Sequence, residues 1–195
     1  MFRNPDSLSD QYDVVIIGGG GHGLAAAYYL ARDHGISNVA VLEKGYLGGG
    51  GTGRNTAIVR SNYLTPEGAR FYQTSVDLFE GLSSELDFNL FYTQRGHFTL
   101  AHSPASLRVQ RWRAEVNKTL GIDSEIVGPD FIQRSAPEID LSCGGHQAPV
   151  HGALYHPPGS IARHDAVAWA YARGADQRGA EIHQQTTVTD IEVQD

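Results

Sequence analysis

The run "GGGGHG", residues 18–23, limits what this chain can fold into more than any other feature of it. Its glycines at 18, 20 and 23 match G-x-G-x-x-G. The apolar stretch "YDVVII", residues 12–17, stands directly before the run, and the small-residue stretch "LAAAYYLARDHG", residues 24–35, directly after. A continuous apolar run of that length predicts a strand buried on both faces. The stretch after the glycines predicts a helix closed by Gly35 as its C′ residue. "NVAVLEK", residues 38–44, predicts a second buried strand that ends at the acidic Glu43. A strand, a glycine turn, a helix and a strand together open an α/β sheet.

Each glycine then has a physical reason to be there. Gly18 makes the tight turn, Gly20 lets the backbone approach a pyrophosphate closely, and Gly23 lets the helix pack on the strand. The first N–H groups of a helix are free and carry about half a unit of positive charge, which suits phosphate. Gly21 and His22 stand at that point, His22 as a backbone contact. Glu43 lies 20 residues beyond Gly23, where a carboxylate can accept from a ribose hydroxyl, and Lys44 flanks it. These features predict dinucleotide binding. The stretch "EKGYLGGGGTGRNTAIVRSNY", residues 43–63, favours FAD over NAD. A long glycine-rich loop leaving the second strand can wrap more backbone around an extended dinucleotide, through Gly51, Thr52, Arg54, Asn55 and Thr56.

Further along, Thr65 and Pro66 predict a helix start, and Ala69, Tyr72, Val76, Phe79, Leu82 and Leu86 form one apolar stripe. "LFYTQRGHFTLA" predicts a hairpin turning at Arg95–Gly96. Ser103–Pro104 opens another helix with Ala105, Val109, Trp112 and Val116 facing inward, ended by Gly121; its arginines at 108, 111 and 113 are expected on a solvated face. "ALYH" predicts a strand, "HDAVAWAYARGAD" a helix, and "AEIHQQTTVTDIEV" one or two strands. The expected organisation is a nucleotide-binding portion over 1–60, the start of a substrate or interface domain over 61–155, and a return to the first domain over 156–195.

A net charge of −7 argues against a nucleic-acid partner, which would need cations to replace counterions. No apolar run is long enough to span a bilayer, and the first residues lack the apolar core of a secretory signal. With a single cysteine, Cys143, the expected location is the cytoplasm. Cys143, His146, His151 and His156 lack the close ligand pairs of a zinc site, so no metal is expected. The chain reaches "EVQD" with the sheet's edges uncovered, which reads as an N-terminal fragment of a longer protein.

From Tyr12 onward the sequence resembles the beta subunits of heterotetrameric sarcosine oxidases, within the FAD-dependent amine and amino-acid oxidoreductases. "GRNTAIVRSNY", "QRGHFTLAH" and "RHDAVAW" carry the resemblance more specifically than the glycine motif does. It implies a Rossmann-like FAD-binding domain followed by the beginning of an α+β substrate domain. It implies non-covalent FAD as the site of sarcosine oxidation and a second flavin, FMN, bonded covalently to His164. Electrons would pass from FAD to FMN and on to oxygen, giving hydrogen peroxide. An alpha subunit, which binds tetrahydrofolate, and smaller subunits would complete the assembly.

The resemblance also aligns Thr56-Ala57-Ile58-Val59-Arg60 with a T-x-I-[IV]-R stretch whose arginine holds the substrate carboxylate; Ala57 stands where single-chain relatives carry another arginine. Val188 resembles a residue whose backbone contacts adenine. A helix's first turn, where His164 falls, offers N–H donors to an anionic flavin and disfavours added positive charge. Asp165 would orient the imidazole or cap the helix. Two other readings stay open: an amine or D-amino-acid dehydrogenase without FMN, and a catalytically silent dinucleotide-binding fragment.

Overall fold

A computed structural model describes residues 8–142 and 149–193. The chain divides into two compact units. One holds residues 1–57, 82–91 and 162–195; the other holds 58–81 and 92–161.

The first unit is built on a parallel three-stranded sheet in the order β1-β2-β9. Strand β1 (Val14–Ile17) pairs with β2 (Val39–Leu42) in the register Val14↔Val39, and β2 pairs with β9 (Glu181–His183) in the register Ala40↔Glu181. Helix α1 (Gly21–His34) joins the first two strands. It stops where predicted, at Gly35 in the left-handed conformation (φ 68°), with its N–H on Leu30 O. Helix α5 (His164–Asp176) covers the residues expected of it and packs against α1.

Small residues allow that packing. Ala27 on α1 and Ala168, Ala172 and Ala175 on α5 are wholly buried, and Gly174 lies against the Tyr28 ring. Tyr28, Tyr29 and Tyr171 cluster here, with the Tyr29 and Tyr171 hydroxyls 3.2 Å apart. Burial, then the Tyr29 hydrogen bond, pushes the Tyr171 phenol well above its ordinary range. Tyr28 donates to Glu85 at 3.0 Å.

The second unit contains two antiparallel sheets. Strands β3 (Ile58–Val59), β8 (Ser160–Ile161) and β4 (Thr93–Gln94) form one, in the order β3-β8-β4; β5 (His97–Ala101), β7 (Gly152–His156) and β6 (Glu125–Val127) form the other, in the order β5-β7-β6. Helix α2 (Pro66–Glu85) starts at Thr65, whose hydroxyl accepts from Gly68 N at 3.2 Å. Helix α3 (Pro104–Thr119) starts at Ser103, which accepts from Ser106 N at 3.1 Å. Helix α4 (Pro129–Ser135) packs on β7. Val127, Ile132, Val150 and Ala153 are the buried centre, surrounded by Phe98, Phe131 and Tyr155.

Four expectations are corrected. There is no hairpin at Arg95–Gly96: β4 pairs with β8 and β5 with β7, while the amides of residues 95 and 96 both reach Gly159 O. Gly96 turns the chain from one sheet to the next at φ 87°, so a turn signal marked a change of partner rather than a hairpin. Helix α3 faces the other way. Val109 and Trp112 are 59% and 64% exposed, whereas Gln110, Ala114 and Asn117 are buried and Arg113 points inward.

The stripe on α2 holds at Ala69, Val76, Leu82 and Leu86, but Tyr72 is exposed. Strand β1 is half-buried on one face and exposed on the other among the described residues, with Val15 and Ile17 51% and 58% exposed at the sheet edge. The C-terminal stretch forms one strand, β9, and continues as a loop through Val193.

Candidate functional site

The glycine turn carries β1 into α1 at close quarters with its surroundings. Gly18 adopts φ 111° and donates to Leu42 O at 2.8 Å, one residue beyond the paired strands. A Cβ on Gly19 would stand 2.7 Å from Leu47 Cδ2, one on Gly20 3.1 Å from Thr52 Oγ1, and one on Gly23 2.1 Å from Gly18 O. Helix α1 has no side-chain cap; Gly20 precedes it in extended conformation. Its N-terminal positive end is therefore left as backbone, with no cap from the residue that precedes it. Gly21 N donates to Thr52 Oγ1 at 2.8 Å, which ties the second glycine loop to the first.

Glu43 does more than was expected of it. Its carboxylate accepts from Gly19 N at 2.8 Å and from Gly45 N at 2.7 Å, clamping the two glycine loops together. A carboxylate has about four acceptor directions, so two remain for hydroxyls. The Glu43 backbone also receives Thr186 N at 2.9 Å, and Gly45 O receives Gln185 N at 3.0 Å. These bonds bring the loop after β9 beside the glycine turn.

A cavity of about 480 Å³ opens between these segments, bounded by Ile17, Gly18, Glu43, Lys44, Arg54 and Val188. Residues from three separated stretches of sequence thus meet on one cavity. Thr52 stands in the 3-10 turn Gly51–Arg54, closed by Asn55: its Nδ2 donates to Thr52 O at 2.7 Å and its Oδ1 accepts from Ala57 N at 2.6 Å. Thr56 and His22 are exposed. Tyr46, Thr186 and Thr187 also line the cavity. The sequence offered no signal for them, because they line it through loop conformation rather than through a motif.

His164 is the first residue of α5, and its Nδ1 is buried with no hydrogen-bond partner among the described residues. Asp165 does not orient it. That carboxylate takes two bonds from Arg163, at 3.0 and 2.6 Å, and one from Ala166 N at 2.9 Å, so it serves the first turn of the helix from within; the cap residue, Arg163, makes no side-chain cap bond. Arg163 holds the Asp165 carboxyl below its ordinary range.

In the second unit Arg60 donates through Nη1 to Asn62 Oδ1 at 2.9 Å, with its Cζ 4.3 Å from the Tyr63 ring centroid. No carboxylate pairs with it among the described residues. His97 lies nearby; burial, with the charges of Arg60, His156 and Arg113, lowers its pKa to about 4. His156 is fully buried, Nδ1 2.6 Å from Asp123 O, while His151 is exposed. Cys143 and His146 lie outside the described residues. Among the described residues no group of histidines, cysteines and acids is placed to hold a metal, and no helix is long and apolar enough to cross a membrane.

The parallel strand–helix–strand unit and the cavity at its glycine turn define a dinucleotide-binding α/β protein. The chain belongs to the FAD dependent oxidoreductase family, which matches residues 13–195. It is 49% identical over 189 residues to the sarcosine oxidase subunit beta of Arthrobacter sp, covering 97% of this chain and 46% of that one. To the sarcosine oxidase subunit beta of Rhizobium meliloti it is 47% identical over 190 residues, covering 97% and 45%. The chain therefore spans about half the length of the curated relatives it matches. Among solved structures, the L-proline dehydrogenase of P. horikoshii superposes with a TM-score of 0.86 at 25% identity, over 96% of this chain and 47% of that one.

The residues present fit the family's cofactor. At Gly19 and Gly23 the clearance leaves room for backbone but not for side chains, at Gly20 it is tight, and Arg54 and Lys44 bring cations to the cavity.

Proposed function

We propose that this chain forms the FAD-binding part of an oxidoreductase that oxidatively demethylates sarcosine to glycine, in a hetero-oligomer with an alpha subunit and smaller subunits. The cavity in the first unit carries the reading, because it brings Gly18 of the G-x-G-x-x-G turn, Glu43, Arg54 and Val188 to one place. The chemistry that bound flavins would supply is removal of two electrons and two protons from the amine's CH–NH unit, which turns its C–N bond into C=N for water to hydrolyse, and their delivery to oxygen, giving hydrogen peroxide. The protein's part is to bind and to orient.

The first amides of α1, with Gly51, Thr52 and Arg54, would hold the FAD diphosphate. The free acceptor directions of Glu43 would take ribose hydroxyls beside Lys44, and the loop backbone at Val188 would meet adenine. Arg60 would hold the substrate carboxylate, since a guanidinium fork grips a carboxylate through two charge-assisted bonds. Its aromatic support on Tyr63 and the lack of an acidic partner among the described residues favour that role over a structural ion pair. Tetrahydrofolate would be bound by the alpha partner.

His164 would carry FMN covalently, a role favoured by its buried, unpartnered Nδ1 at a helix start. Acid precipitation of the purified holoprotein tests the tether. Yellow colour staying with the pellet, and lost in His164→Ala, supports it. A colourless wild-type pellet removes it and leaves the amine dehydrogenase without FMN. A protein that takes up no FAD at all removes the whole reading.

A further inference from the structure

In the second unit the segment Arg60-Ser61-Asn62-Tyr63 is fastened at each residue, and two of the groups that take part are guanidinium cations. Arg113, reaching inward from α3, donates through Nη2 to the main-chain oxygen of Asn62. The Asn62 side chain accepts from Arg60 at 2.9 Å. Ser61 N donates to His156 Nε2 at 3.3 Å, which makes that nitrogen an acceptor and puts the imidazole proton on Nδ1, facing Asp123 O. Tyr63 lies under the Arg60 guanidinium and stacks on Tyr72 at 4.0 Å.

Two half-buried guanidinium groups therefore share one neighbourhood around the buried Asn62, and no carboxylate pairs with either among the described residues. Asn62 is wholly buried, and its Nδ2 has no partner among the described residues; neither do Arg113 Nε or His97 Nδ1. Burying unpaired charge is costly unless something compensates it. Asn62 Nδ2 and Arg113 Nε are donors that lack an acceptor, and an anion is the complement that would supply it.

We propose that Arg113 is a positioning residue of the carboxylate site: acting through Asn62, it fixes the Arg60 guanidinium and adds the second positive charge that selects an anionic substrate. This rests on the reading of Arg60 given above. Arg113 need not touch the carboxylate. Its hydrogen bond fixes the backbone of residue 62, residue 62 fixes Arg60, and its charge raises the potential where the carboxylate would sit.

The test uses the purified holoprotein, with sarcosine as substrate and acetate as competing carboxylate. In Arg113→Met, both the KM for sarcosine and the inhibition constant for acetate should rise roughly tenfold, with kcat within about twofold. Arg113→Lys, which keeps the charge, should recover part of the loss. Asn62→Asp keeps the shape, places a carboxylate between the two cations and so preserves the fold; it should weaken acetate at least as much. Unchanged acetate binding in Asn62→Asp, or a fall in kcat at constant acetate affinity in Arg113→Met, overturns the proposal. Arg60→Met separates the two readings. If it leaves acetate binding intact, Arg60 is not the carboxylate ligand; if it alone weakens acetate, only the role of Arg113 falls.

Discussion

The carbonyl oxygen of Gly18 lies 2.1 Å from the point that a Cβ on Gly23 would occupy. The turn and the first full turn of α1 are thus in backbone-to-backbone contact, and the clash cannot be relieved by swinging a side chain aside. Gly23→Ala should push the helix off the strand, costing about 1–3 kcal/mol and shifting the first turn of α1 relative to Gly18, which lines the cavity. Thermal melting together with the FAD content of the purified protein checks this. Full FAD content at an unchanged melting temperature would mean that the turn is not this tight.

Glu43 supports the same turn by clamping two loops. Glutamine keeps the size of the side chain but offers one acceptor oxygen instead of two, so either Gly19 N or Gly45 N loses its partner. A hydrogen bond to a charged group contributes about 1.5–3 kcal/mol. Glu43→Gln should therefore lower stability by that order in chemical denaturation, even without cofactor. An FAD-affinity loss with no change in the stability of the cofactor-free protein would assign Glu43 to the ribose alone.

How much of this fold is legible in the sequence follows from the range of the forces involved. The end of helix α1 at Gly35 and helix α5 are set by local rules of spacing and capping, and they stand where the sequence puts them; α1 starts at Gly21, three residues earlier than the stretch after the glycines. The glycines of the turn and Glu43 were legible because each answers a local backbone demand. The face of α3 was not. Val109 and Trp112 mark an apolar stripe, yet the inward side is taken by Gln110 and Arg113, which bond to the main-chain oxygens of Leu100 and Asn62. A polar side chain meeting orphaned carbonyls can hold the interior against an apolar one. Those carbonyls are distant in sequence, so no periodicity reveals them. The partners of β4 and β5 were hidden for the same reason.

His97 makes stability depend on pH in a definite direction. Unfolded, its imidazole titrates at the ordinary 6.5; folded, burial and the charges of Arg60, His156 and Arg113 lower that to about 4. Between those values the unfolded chain takes up a proton that the folded chain refuses. The stabilisation is complete above pH 6.5 and is lost as pH falls towards 4. The slope contributed approaches about 1.4 kcal/mol per pH unit for one proton. His156, also lowered by burial, acts in the same direction. His97→Gln should flatten the stability–pH curve over that window, as measured by denaturant midpoints from pH 4 to 8; an unaltered slope would mean that His97 is freely protonated in the folded protein.

Two helical glycines should respond to the same substitution with opposite signs. Glycine to alanine in a helix gains up to about 1 kcal/mol from propensity alone. Gly81 on α2 is exposed, and a Cβ there meets nothing within 4 Å, so Gly81→Ala should raise stability by up to that amount. On α5, a Cβ at Gly174 would stand 2.8 Å from Tyr28 Cδ2 and 3.2 Å from Leu86 Cδ2. The Tyr28 ring cannot retreat easily, since it is 1% exposed and its hydroxyl is held by Glu85. Overpacking of about 1–3 kcal/mol then exceeds the propensity gain, and Gly174→Ala should lower the melting temperature. Equal stabilisation by both substitutions would show that α1 and α5 are not packed through Gly174.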